Sequence, residues 1–109
     1  FYSINQMIDF DFDEIKNLDG QGLIISSTDK EFDFVSRYFC PKYGINEDPV
    51  TGSAHTTLIP YWADKLGKDK LHAKQVSSRG GELFCENLDN RVLIGGEAKI
   101  YMRGEIELS

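Results

Sequence analysis

Two hydrophobic periods alternate along this chain, and the switches between them mark out its elements. Leu23–Ser27 (LIISS) is rich in β-branched residues and lies between Gly22 and Asp29, which predicts a strand. Over residues 32–39 the period is two. Phe32, Phe34 and Ser36 share one side and Asp33, Val35 and Arg37 the other, a second strand. Residues 41–49, with Gly44 and two prolines, predict a loop. Residues 51–66 then take helical spacing. Ala54, Leu58, Ile59, Tyr61, Trp62, Ala63 and Leu66 spread around much of the circumference, which predicts a helix buried on most sides. Thr51 or Ser53 stands where an N-cap belongs and Gly67 where a left-handed C′ residue belongs. Pro60 cannot donate to the carbonyl of Thr56, so a bend or midpoint is expected there.

Beyond the helix, residues 70–77, 82–87, 91–95 and 98–108 alternate in polarity. They are joined at Arg79-Gly80-Gly81, Leu88-Asp89-Asn90 and Gly95-Gly96, each with turn chemistry, so a four-stranded meander is expected. Near the start, residues 9–18 predict a short helix that stops before Asp19-Gly20. The expected fold class is α+β: a curled, mostly antiparallel, barrel-like sheet wrapped around one central helix. With 109 residues, no internal repeat and no low-complexity linker, residues 1–109 form a single domain on this reading.

Composition narrows the function classes. Hydrophobic residues make up 40%, normal for a globular chain and far from a disordered one. A net charge of −6 offers no basic footprint, so no nucleic-acid partner is expected. No apolar run is long enough for a membrane span and no signal-peptide core opens the chain, so no membrane association is expected. Cys40 and Cys85 lie far apart without C-x-x-C spacing, as buried thiols in a reducing, cytoplasmic setting would. Neither histidine has a ligand-spaced neighbour, and no dinucleotide or P-loop pattern occurs, so neither metal nor cofactor is expected.

The chemistry concentrates in Glu47-Asp48-Pro49-Val50-Thr51-Gly52-Ser53-Ala54-His55. A small, polar turn entering a helix leaves forward-pointing amides, at Gly52, Ser53 and Ala54 behind Thr51, with no intrahelical acceptor. Those amides and the helix dipole favour a carboxylate or phosphate. Asp48 and Ser53 stand beside that spot as an acid/base and a hydroxyl. Taken locally, the same residues also serve as a turn organiser (Asp48) and helix caps (Thr51, Ser53). His55 and His72 are assigned structural roles, Tyr61 and Trp62 belong to the core, and Arg79-Gly80-Gly81 is a tight turn. Gln75 and Ser77 share one strand face near the turn and are left outside the site.

In order and spacing, Arg37-Tyr38-Phe39, D-P-V-T-G-S-A-H, Pro60-Tyr61-Trp62 and Q-x-S-x-R-G-G resemble the C-terminal half of PhzF-like isomerases of the phenazine-biosynthesis family, which have the diaminopimelate-epimerase-like fold. The resemblance runs from about Leu23 to the end. It implies two similar domains, each a barrel-like sheet around a central helix, with the active site between them and the helix N-termini holding a small-molecule carboxylate substrate. It further implies cofactor-independent proton transfer, with Asp48 and Ser53 lining the pocket and the principal acid/base a Glu of the other domain, near a Gly-His pair. No Gly-His dipeptide occurs here. The N-terminal-type domain is therefore expected to be missing from this chain and to be its partner. A non-catalytic half-domain that binds a partner domain or a small anion is the alternative; its uncovered apolar flank predicts self-association, as a dimer.

Overall fold

The computed structural model describes residues 12–17 and 19–108. It contains α1 (Phe12–Lys16), β1 (Leu23–Ser27), β2 (Phe34–Cys40), a single 3-10 turn (Pro41–Tyr43), β3 (Ile45–Glu47), α2 (Gly52–Leu66), β4 (Lys70–Gln75), β5 (Gly81–Leu88) and β6 (Arg91–Gly95). The strands form one open sheet in the order β1-β2-β4-β5-β6, and β3 pairs with the second half of β2. All pairs are antiparallel except β2–β4, which is parallel with Phe34 opposite Ala73 and Ser36 opposite Gln75. A parallel pair needs a crossover, and α2 provides it. The fold is thus α+β, a mostly antiparallel sheet packed on one principal helix, as the sequence predicts.

Phe34, Leu71, Ala73, Leu83 and Cys85 project from the sheet onto Ala54, Leu58, Ile59, Trp62 and Ala63 of α2. Phe34 stacks on the Trp62 indole at a centroid distance of 5.9 Å. Burying a side chain of this size stabilises by about 1.5–3 kcal/mol, so this layer holds the helix in place. On β4 the alternation is strict: Leu71, Ala73 and Gln75 are buried, with half-buried His72 and Lys74 between them. Position on that face, rather than apolarity, brings Gln75 to the start of α2.

Four expectations need correction. The buried residues of α2 form one face, with Thr56, Thr57, Pro60, Tyr61 and Asp64 exposed, so the sheet covers one side of the helix instead of most. Pro60 falls beside the midpoint of α2, one of the two expected outcomes, on the exposed face where water can reach the carbonyl released at Thr56. The expected loop over residues 41–49 contains β3, held by a bidentate Arg37–Glu47 ion pair whose two N···O distances are 2.8 and 2.9 Å. Most informative is the fourth strand of the meander. Residues 98–108 pair with nothing among the described residues and are exposed throughout. Phe32 precedes β2 instead of belonging to it. The short helix forms as α1, while residues 9–11 and 18 of that prediction lie outside the described residues.

Candidate functional site at the start of the principal helix

Three residues separate β3 from the N-cap of α2, and hydrogen bonds from β2, β4 and Ser77 hold that turn. The Asp48 N–H donates to the Tyr38 carbonyl at 2.9 Å, continuing the β3–β2 pairing by one residue. Gln75, fully buried at the end of β4, reaches back with both ends of its amide. Its Oε1 accepts the Thr51 N–H at 2.7 Å, and its Nε2 donates to the Asp48 carbonyl at 2.9 Å and to Thr51 Oγ1 at 3.0 Å. With one lone pair of Oγ1 occupied by Gln75, the Thr51 hydroxyl proton goes to Asp48 Oδ2. Thr51 occupies the N-cap position, yet its side chain does not cap the helix; Asp48 holds it instead. The Thr51 carbonyl accepts from His55 Nδ1 at 2.7 Å, which defines the Nδ1–H tautomer and leaves Nε2 buried without a partner among the described residues. Burial pushes His55 below its ordinary pKa, against the opposing effect of that hydrogen bond, so a neutral ring is favoured.

The second anchor explains the glycines. Ser77 Oγ donates to the Pro49 carbonyl at 2.8 Å and accepts the Gly80 N–H at 2.9 Å. Gly80 has φ +74°, a left-handed conformation that side chains resist. A Cβ on Gly81 would lie 2.2 Å from Val50 Cγ2, so only glycine lets Val50 sit against β5. The spaced motif Gln75-x-Ser77-x-Arg79-Gly80-Gly81 is therefore the frame that shapes Asp48-Pro49-Val50-Thr51. Sequence reasoning left Gln75 and Ser77 outside the site. Their shared strand face and their place in the family-like motif were the available signals.

In front of this frame the helix start is open. Gly52 and Ser53 are exposed, and a Cβ on Gly52 would meet nothing within 4 Å. Among the described residues, the amides of Gly52, Ser53 and Ala54 have no acceptor. Ser53 is the second helical residue, so it is not an N-cap, and its hydroxyl is available at the surface. The Ala54 side chain is buried in the core, so only its backbone faces forward. Asp48 is half-buried, and Oδ1 is left over after Thr51 engages Oδ2. Asp48, Thr51, Gly52, Ser53 and Ala54 thereby lie together at one end of α2.

Two open concavities lie elsewhere among the described residues. One, lined by Thr28, Asp29, Phe32, Asp33, Lys68 and His72, and another, lined by Pro60, Asp64, Gly67 and Asn87, flank the C-terminal half of α2. In the first, burial raises the Asp33 pKa, but hydrogen bonds from Lys68 and the His72 amide outweigh it and hold the carboxyl below its usual value. That chemistry is an ion pair securing a turn. Among the described residues, no cluster of three His, Cys, Asp or Glu side chains is arranged to hold a metal, and no helix is long and apolar enough to cross a membrane.

Comparison with known proteins gives this fold its family. The profile of the phenazine biosynthesis-like protein family (PhzC-PhzF) matches residues 3–104, so the chain belongs to that family. It is 50% identical over 98 residues to an uncharacterized isomerase of Pseudomonas aeruginosa, covering 90% of this chain and 38% of that protein. The crystal structure of a PhzF-family protein from Enterococcus faecalis superposes with a TM-score of 0.83 at 53% identity, over 94% of this chain and 40% of that one. A PhzC/PhzF protein from Clostridium difficile superposes with a TM-score of 0.81 at 47% identity, over 97% and 42%. The chain therefore spans about two fifths of the length of these relatives.

Proposed function

We propose that this chain is one domain of a two-domain, cofactor-independent isomerase that moves a proton within a small carboxylate substrate. The observation that carries the reading is the open amide row of Gly52, Ser53 and Ala54 beside an Asp48 carboxylate held in place by Thr51 and Gln75. The substrate carboxylate sits on that row, where the aligned amides and the helix dipole offset its charge. Ser53 hydrogen-bonds the bound acid, and Oδ1 of Asp48 faces the carbon skeleton. The other domain contributes the opposite wall and the principal acid/base, a glutamate by family resemblance. One of the two carboxyl groups removes a proton from carbon, and a proton returns at the other face or at another carbon. The product is an isomer, with no net change in electrons. Closure of the two walls excludes water, and the amides stabilise charge that develops on the substrate acid. The two unpaired buried thiols, Cys40 and Cys85, suit a reducing compartment, which supports a cytoplasmic location.

The test uses a complete two-domain protein in which this chain replaces the matched part of the Enterococcus faecalis relative. It is incubated in D2O with a panel of small amino acids and unsaturated acids, and proton NMR follows loss of individual C–H signals. Asp48→Asn keeps an acceptor for Thr51 while removing the acid/base, so exchange should fall about 100-fold or more with an unchanged melting temperature. Ser53→Ala should cost roughly tenfold, the scale of one hydrogen bond to a charged group. Exchange that persists undiminished in Asp48→Asn removes Asp48 from the chemistry. A panel on which the parent protein binds acids without exchanging protons supports the binding-module alternative.

A further inference from the structure

The side-chain amide of Gln75 fits its site only one way round. Its oxygen faces the Thr51 N–H, a group that can only donate, at 2.7 Å. The nitrogen then points its two hydrogens at two acceptors, the Asp48 carbonyl at 2.9 Å and Thr51 Oγ1 at 3.0 Å. A flipped amide would set nitrogen against the Thr51 N–H and oxygen against the Asp48 carbonyl, and Gln75 is fully buried, so no water would relieve either clash. The fixed amide imposes a direction on the next group. Thr51 Oγ1 receives a hydrogen from Gln75, so its own proton goes to Asp48 Oδ2. The hydroxyl is therefore a one-way donor. An oxygen that faces a hydroxyl proton cannot carry a second proton along the same line, which leaves Oδ1 to hold any proton that Asp48 takes up.

We infer that Gln75 and Thr51 are positioning residues for the proton transfer: the buried amide orients the Thr51 hydroxyl, and the hydroxyl reserves Oδ2 of Asp48 as an acceptor, so that the transferred proton travels on Oδ1. The inference rests on the proton-transfer reading above and adds to it the atom that carries the proton and the residues that select that atom. When Asp48 takes the proton, the substrate C–H bond breaks, its electron pair stays on the carbon skeleton and an O–H bond forms at Oδ1. When Asp48 gives the proton, the O–H bond at Oδ1 breaks and the carbon's electron pair forms the new C–H bond. Throughout, the bond from Thr51 restrains the carboxyl group from turning about its own axis, so Oδ1 keeps one direction relative to the amides of Gly52, Ser53 and Ala54. Misplacing a reacting group by ~1 Å is enough to cost about 100-fold in rate. Thr51 is 8% exposed and Gln75 is fully buried, so both act on the substrate through Asp48.

The experiment measures kcat and KM for deuterium exchange in the complete chimaera described above, on the panel acid that the parent exchanges fastest. Thr51→Val keeps the shape of the side chain and the backbone bonds, so kcat should fall roughly 30-fold with KM changed by no more than about twofold. Thr51→Ser returns the hydroxyl and should restore kcat to within about threefold of the parent. The double variant Asp48→Asn/Thr51→Val should be no more than about twofold slower than Asp48→Asn alone, because Thr51 has no other route to the substrate. A parent-like kcat in Thr51→Val overturns the inference. So do a low kcat that serine does not rescue and a double variant in which the two losses multiply, since each makes Thr51 a merely structural residue. Should Thr51→Val fail to melt cooperatively, NMR of the isotope-labelled 109-residue chain decides. Both Gln75 side-chain amide protons should then exchange ~100-fold slower than those of a free amide, and fast exchange of either one overturns the inference. Full exchange in Asp48→Asn defeats the catalytic reading itself. Loss of exchange there without loss in Thr51→Val defeats only the positioning, so the two failures are told apart.

Discussion

The turn before α2 and the segment after β6 make opposite use of an equally strong sequence pattern. Residues 48–51 have little hydrophobicity to fold by, yet hydrogen bonds from Gln75, Ser77 and His55 reach them from up to 28 residues away. Residues 98–108 alternate like a strand, apart from Tyr101 and Gly104, and have no partner among the described residues. The contrast separates two kinds of information. Alternation states which face a strand would bury, and says nothing about where the neighbour is. A buried amide such as that of Gln75 specifies its neighbours, because each of its groups costs free energy if left unmet. Precision at the helix start comes from polar groups supplied by β4, while the apolar layer beneath supplies most of the holding energy.

The sharpest way to break this contrast is to remove the clamp. Gln75→Leu keeps roughly the same volume but strands the Thr51 N–H and the Asp48 carbonyl in a buried setting. Losing three hydrogen bonds there should cost about 3 kcal/mol, seen as a fall of roughly 10–20 °C in the melting temperature of the isolated chain. A loss under about 1 kcal/mol would show that the turn holds its shape without β4. Next in size is Gly81→Ala, whose new Cβ collides with Val50 Cγ2. Backbone displacement of that kind costs about 1–3 kcal/mol. Adding Val50→Ala should recover much of it, and urea unfolding of the two singles and the double measures the coupling. Simple additivity would mean that the contact is not what demands glycine. Ser77→Ala removes one bond to Pro49 and one to Gly80, and about 1–2 kcal/mol is expected.

How much of this was legible depends on the range of the interactions. β1, β6 and the span of α2 follow from local pattern and from Gly67, whose left-handed φ of 67° ends the helix where a C′ glycine should. The position of Thr51 at the N-cap was legible too. Its side-chain bond to Asp48 was not, because the choice is made by Gln75 from another strand. β3 escaped notice for the same reason: three residues carry no period, and the Arg37–Glu47 pair that pins them joins separate strands. Gln75 itself sat on a visible face, but nothing in its neighbours distinguished a clamp from ordinary packing. The family-like motif was the one signal that bound residues 48–51 to residues 75–81.

A gentler probe works through pH and leaves the chain intact. His55 is fully buried, its Nδ1–H is spent on the Thr51 carbonyl, and its Nε2 has no partner among the described residues, so a second proton has nothing there to receive it. Its folded pKa therefore lies below the unfolded 6.5, chiefly through burial. Protonation then favours the unfolded chain. The stability that neutral His55 contributes is complete above pH 6.5 and is lost as pH falls from there toward the folded value. Asp33, also depressed, adds its own loss only below its ordinary 3.8, under the pH range tested here. Urea midpoints measured between pH 7.5 and about 5 should decline in the parent chain, and His55→Gln should flatten that decline even if it lowers the plateau. A decline of equal slope in the variant would assign the acid sensitivity to other groups and leave the helix entrance indifferent to the charge behind it. If the slope does vanish, the contrast with the segment after β6 sharpens further: exchange at residues 98–108 of the isolated chain should not respond to pH through this histidine, because no packing links that segment to the clamp.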